Sequence, residues 1–129
     1  GIILPAIKEA AQEIAASYGA QVEMHHYEPL FKDMCQDKKL LDLFKDVMTE
    51  FGESPRKLPP DEADGSTDVG NVSYEVPTAQ PTLNIGNQLE AHTPEFACAA
   101  GSPYGLDQAI KGAKIMAVVA LRYAESLEV

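Results

Sequence analysis

Residues 65–86 read GSTDVGNVSYEVPTAQPTLNIG, a stretch dense in small polar side chains and without a clean hydrophobic period. Val69, Val72 and Val76 can share one face of a short helix, and the closing PTLNI, residues 81–85, reads as a short buried strand. Downstream, residues 106–127 carry the clearest helical pattern in the chain. Leu106, Ile110, Ala113, Ala117, Ala120, Leu121 and Ala124 recur at helical spacing, and Met116 and Val118 broaden the stripe. So many small side chains predict close packing against a sheet. Ser102-Pro103 is a cap and first-turn pair, although Gly105 is expected to delay the start. Upstream, Leu40, Leu41, Phe44, Val47, Met48 and Phe51 predict a helix over residues 38–51, capped by Asp37 and stopped by Gly52. Residues 53–64, ESPRKLPPDEAD, are rich in proline and charge and read as a loop. At the start, Ile7, Ala10, Ala11, Ile14 and Tyr18 predict a helix over residues 5–18 ended by Gly19. The alternation in QVEMHHYEPLF, residues 21–31, then predicts a half-buried strand that Pro29 ends. A helix followed by a strand is half of a small layered unit, and alone it would leave one sheet edge unpaired.

The 129 residues are 45% hydrophobic and 23% charged, which is enough apolar material for one modest core. Lys+Arg number 10 against 20 Asp+Glu, a formal net charge of −10, and the basic residues are scattered. No basic stripe exists to displace counterions from a phosphate backbone, so nucleic acid is not an expected partner. No apolar run approaches the ~18–20 residues that span a bilayer, and no membrane partner is expected. The opening GIILPAIKEAA has neither a basic region nor a cleavage-like site, and so does not read as a signal peptide. It also lacks Met and enters a helical pattern almost at once, as a processed or broken part of a longer chain would. Cys35 and Cys98 match no metal or redox spacing and are expected to be reduced thiols in a cytoplasmic protein.

Three histidines bound any imidazole chemistry. His25 and His26 are adjacent, and on a strand they would face opposite ways and could not share one ion. His92 follows the expected strand and a Gly86-Asn87 turn, the kind of position where α/β enzymes gather catalytic groups. A neutral imidazole suits zinc or manganese, yet by spacing alone a lone histidine is more often a surface residue. Nearby Glu90 and Glu95 do not alter that balance. In the run 65–71, Gly65 and Gly70 bracket Ser66, Thr67, Asp68 and Asn71, so backbone and side chains could meet an anion or a carbonyl. The same residues read equally well as a capped turn opening the next helix. No nucleophile–base pair and no GxSxG elbow is present, so no self-contained catalytic site is expected.

The blocks GSTDVGNVS and PTLNIG, followed by AHTPEF, ACAAGS and a long Ala-rich helix, resemble the C-terminal end of a metallopeptidase family. Its members include aminoacylases, carboxypeptidase G, aminobenzoyl-glutamate hydrolase and β-alanyl-lysine type dipeptidases, and the likeness is strongest to the last two. The resemblance implies an α/β catalytic domain, here residues 32–129, preceded by the final helix and strand of an α+β lid, residues 1–31, that mediates homodimerisation. It implies two divalent metal ions, zinc or manganese, in the complete enzyme, with His92 matching the last metal ligand. Ser66, Thr67 and Asp68 match the loop lining the substrate pocket, with Asn71 in the same loop. The other metal ligands and the general-base glutamate belong upstream and are not in this sequence, and Gln80, where this branch often has histidine, is given no role. The implied chemistry is hydrolysis of an amide in an N-acyl amino acid or dipeptide-like substrate by a metal-activated water. One imidazole cannot hold such a centre, so the chain alone is expected to be inactive and to retain no metal. The alternative is a non-catalytic dimerisation or interaction module derived from the same fold.

Overall fold

Asp37 starts a helix by leaving the helical region of backbone space and accepting the Leu40 N–H with its carboxylate at 2.8 Å. In the computed structural model, which describes residues 2–57 and 65–127, five helices follow one another. They are α1 (Ile3–Ser17), α2 (Lys38–Glu50), α3 (Val69–Val72), α4 (Pro94–Ala100) and α5 (Pro103–Glu125). The chain divides into two units, Gly1–Leu30 with α1 and Phe31–Val129 with the rest.

The core of the larger unit lies between α2 and α5. Val47 and Met48 of α2 meet Ile115 and Val119 of α5, with Leu40, Leu43, Phe44, Phe51, Leu83 and Val118 packed around them. A fully buried aliphatic side chain of this size stabilises a fold by ~1.5–3 kcal/mol relative to exposure, so this small cluster dominates the unit. Polar contacts lock the same pair. Arg122 forks onto Glu50 with bonds of 2.7 and 2.8 Å. Lys111 donates to Glu53 Oε1 at 2.6 Å, and Gln108, only 2% exposed, donates to Glu53 and to the Asn84 carbonyl.

Three expectations need correction. Among the described residues there is no β-strand, so they do not supply the sheet that an α/β domain requires. Residues 21–31 and 81–85 have no ladder, because alternation gives a strand its faces but pairing needs a second backbone to take its N–H and C=O groups. Leu83 packs instead on the α2–α5 core, and the Asn84 carbonyl is taken by Gln108. The stripe read as the buried face of α5 lies outside. Leu106, Ile110, Met116 and Leu121 are exposed, as are Ala113, Ala117, Ala120 and Ala124, while Gly105, Gln108, Ile115 and Val119 are buried. Helix α5 is thus apolar on two opposite sides, the pattern of a helix buried between two layers. Lastly, Gly105 does not delay α5. Ser102 caps it by accepting the Gly105 N–H at 3.0 Å, and Gly105 is needed because a Cβ there would strike the Ala99 and Ala100 carbonyls.

Helix α1 has none of this support: no residue of it is buried. It ends at Gly19, whose φ of +65° is the left-handed conformation glycine takes most readily.

Candidate functional site

The turn at 65–68 is built by backbone geometry. Gly65 takes φ +78°, and Thr67 then caps the next turn by accepting the Val69 N–H on its hydroxyl at 3.3 Å. The N-cap residue of α3 is Asp68, and its side chain makes no capping bond. Among the described residues, the side chains of Ser66 and Asp68 are exposed and unengaged. Two solvent-facing groups, a hydroxyl and a carboxylate, are therefore available to a ligand.

Behind the turn, α3 is fastened to residues 32–35. Asn71 accepts the Lys32 N–H on Oδ1 at 2.7 Å. Ser73, which is buried, accepts the Cys35 N–H at 2.9 Å and donates to the Gly70 carbonyl at 2.6 Å. Tyr74 donates its phenol to Asp33 at 2.9 Å while the Lys32 ammonium sits 4.8 Å from its ring centroid. That hydrogen bond to a carboxylate, with partial burial and the Asp33 charge, pushes the Tyr74 phenol above its ordinary pKa. The space freed by Gly70 is filled by the Lys32 carbonyl, which a Cβ would strike, and so serves the chain's own backbone.

His92 stands on a different turn. Its φ is +64°, and Gln88 nearby has φ +54°, so two non-glycine residues of this short stretch are left-handed. Such positions cost of order 1 kcal/mol or more and gather at functional sites. The ring is exposed, and among the described residues no hydrogen bond engages it. Thr93 immediately begins α4, accepting the Phe96 N–H at 3.2 Å and donating to the Glu90 carbonyl at 2.8 Å, with Pro94 in the first turn. This helix escaped the sequence reading, although Thr-Pro-Glu is a recognisable start signal. Helix α4 packs on α5, whereas among the described residues α3 packs on no other helix, so Thr67, Asp68 and Asn71 lie together around α3 and His92 stands on another element.

His25 lies in the smaller unit, exposed, 3.3 Å from Glu23, and His26 is exposed beside it. Cys35 and Cys98 are free exposed thiols. Among the described residues no three His, Cys, Asp or Glu side chains cluster closely enough to hold a metal ion. What His92 offers, among the described residues, is a single imidazole with no hydrogen-bond partner. No described helix is long and apolar enough to cross a membrane.

Over 57 residues, 44% of its length, the chain is 42% identical to a protein named Xaa-Arg dipeptidase from Homo sapiens. It matches the Xaa-Arg dipeptidase of Mus musculus at the same identity over the same length. The likeness is to peptidases. The chain spans only 13% of the length of these curated relatives. No family model and no solved structure matches it.

Proposed function

We propose that this chain forms part of a metal-dependent amidohydrolase or dipeptidase that hydrolyses the amide bond of an N-acyl amino acid or dipeptide-like substrate. The observation that carries the proposal is the 42% identity over 57 residues to proteins named as dipeptidases. In this reading His92 gives one ligand to a centre whose remaining ligands come from outside these 129 residues. Two divalent ions, zinc or manganese, would supply polarisation of the scissile carbonyl and a lowered pKa for water. Ser66, Thr67 and Asp68 line the substrate pocket, and the general base belongs elsewhere in the polypeptide. The outward apolar stripe of α5 then seats on a sheet of an α/β domain contributed by the same longer chain. Residues 1–31 belong to a lid through which two copies pair. A cytoplasmic setting fits the same reading.

An acidic chain favours the approach of cationic substrates, so arginine- and lysine-containing dipeptides head the panel to be tried. The test is the longer polypeptide, loaded with zinc or manganese and assayed for release of free amino acid from dipeptides and N-acyl amino acids. Activity should vanish with a chelator and fall by about a hundredfold or more in His92→Ala, since even outer-shell changes at metal sites cost 10–100-fold. The 129-residue chain alone should be inactive. A metal-loaded full-length protein that cleaves none of these amides, or an active one indifferent to His92→Ala, overturns the assignment.

A further inference from the structure

We infer that Asn71 and Ser73 are positioning residues for the turn at 66–68, acting through the backbone of residues 32–35 and not by touching substrate. The inference rests on the hydrolase reading, in which that turn lines the pocket. Helix α3 is four residues long, a single turn that cannot persist on its own, and among the described residues it packs on no other helix. What holds it is a clamp of three side chains, Asn71, Ser73 and Tyr74. Asn71 takes the Lys32 N–H, Ser73 takes the Cys35 N–H while bonding the Gly70 carbonyl, and Tyr74 bonds Asp33. Gly70 allows the approach by having no Cβ against the Lys32 carbonyl.

The order of the residues gives the clamp its purpose. Thr67 is bonded to Val69, the first residue of α3, so the exposed Ser66 and Asp68 are only as well placed as α3 itself. By residue type alone, Asn71 reads as one more group offered to a ligand. Its amide oxygen is instead committed to a backbone N–H, with near-ideal length for such a bond. Ser73 likewise has both its donor and its acceptor roles occupied by backbone.

The test compares Asn71→Ala, Asn71→Asp and Ser73→Ala in the longer metal-loaded enzyme, by steady-state kinetics and by amide hydrogen exchange. Asn71→Ala should raise KM about tenfold with little change in kcat, and speed exchange at Lys32 and at residues 67–70 by about tenfold, as loss of a hydrogen bond of this kind allows. Exchange at Val47 and Val119 should stay unchanged, showing an intact core. Asn71→Asp keeps the acceptor oxygen and should restore slow exchange at Lys32 to within about twofold, with KM closer to the parent than in Asn71→Ala. Ser73→Ala should behave as Asn71→Ala does. The inference is overturned if Asn71→Ala leaves kcat/KM unchanged in an active enzyme, or if Asn71→Asp is as impaired as Asn71→Ala. An unsubstituted enzyme that hydrolyses nothing sinks the hydrolase reading itself, and with it the pocket this turn would serve.

Discussion

Helix α2 buries Val47 and Met48 against Ile115 and Val119 of α5, whereas α1, cut to a similar amphipathic pattern, buries none of its residues. In α1, Ile7 and Ile14 remain 52% and 61% exposed, while Val47 is fully buried. The two helices are near the same length, 15 and 13 residues, close to the ~12–15 below which an isolated helix is marginal. Within its own unit α2 has a facing helix, whereas α1 is the one helix described in its unit. Periodicity specifies which side of a helix is apolar, and the partner decides whether that side stabilises anything.

The sharpest way to break this contrast is at the α2–α5 contact. Ile115→Ala removes most of a side chain only 2% exposed and should cost ~2–4 kcal/mol in urea unfolding of the 129-residue chain. A loss below about 1 kcal/mol would mean that α2 and α5 do not share a packed core. The helix start comes next. Asp37→Ala leaves the Leu40 N–H without its 2.8 Å partner and should cost ~1 kcal/mol, with Asp37→Asn keeping most of it. Equal stability of all three would show that the cap is not formed in solution.

The parts that could be read from sequence share a local cause. Asp37, Gly19, Gly52 and Ser102 act within a few residues of themselves, and each sits where its type implies. The parts misread depend on distant chain. Residues 21–31 and 81–85 alternate as strands do, but no second strand meets them among the described residues. Helix α5 is apolar on both sides, so its spacing could not say which side α2 would take; the Ala-rich stripe was the longer of the two and proved to be the outer one. At the candidate site, a hydroxyl-closed turn is a local signal that residue type carries without saying which of residues 66–68 closes it, whereas the commitment of Asn71 to Lys32 spans 39 positions and has no local signature. His92 stands out by its place after a turn, and its left-handed backbone is one that histidine adopts more readily than most non-glycine residues.

A smaller effect separates the polar rim of the α2–α5 contact from its core. The Lys111 ammonium, bonded to Glu53 at 2.6 Å, holds that carboxyl below the ordinary glutamate value; partial burial opposes it, and Gln108 adds to the lowering. A carboxyl with a depressed folded-state pKa stabilises fully above its unfolded pKa of ~4.3, and the contribution is lost as pH falls through the lower folded value. Glu50 is lowered in the same sense by Arg122. Glu53→Gln should therefore flatten, without abolishing, the decline in stability below about pH 4.5, read as urea midpoints across pH 3–7. An acid limb as steep as the parent's would show that the Lys111 pair does not form.

The smallest expected effect falls on α1, and it bears hardest on the contrast. Ile14→Ala replaces an exposed β-branched residue by the strongest helix former, so the 129-residue chain should change by less than about 0.5 kcal/mol, in the stabilising direction if at all. In a longer polypeptide, or in a dimer that seats this face, the same substitution would open a cavity and cost ~2–4 kcal/mol, as Ile115→Ala does at the face already covered. One substitution measured in both settings thus asks whether the exposed face of α1 is covered in the complete protein. If both shifts are small, the face is solvated in the complete protein too, and its row of isoleucines is no half-built interface.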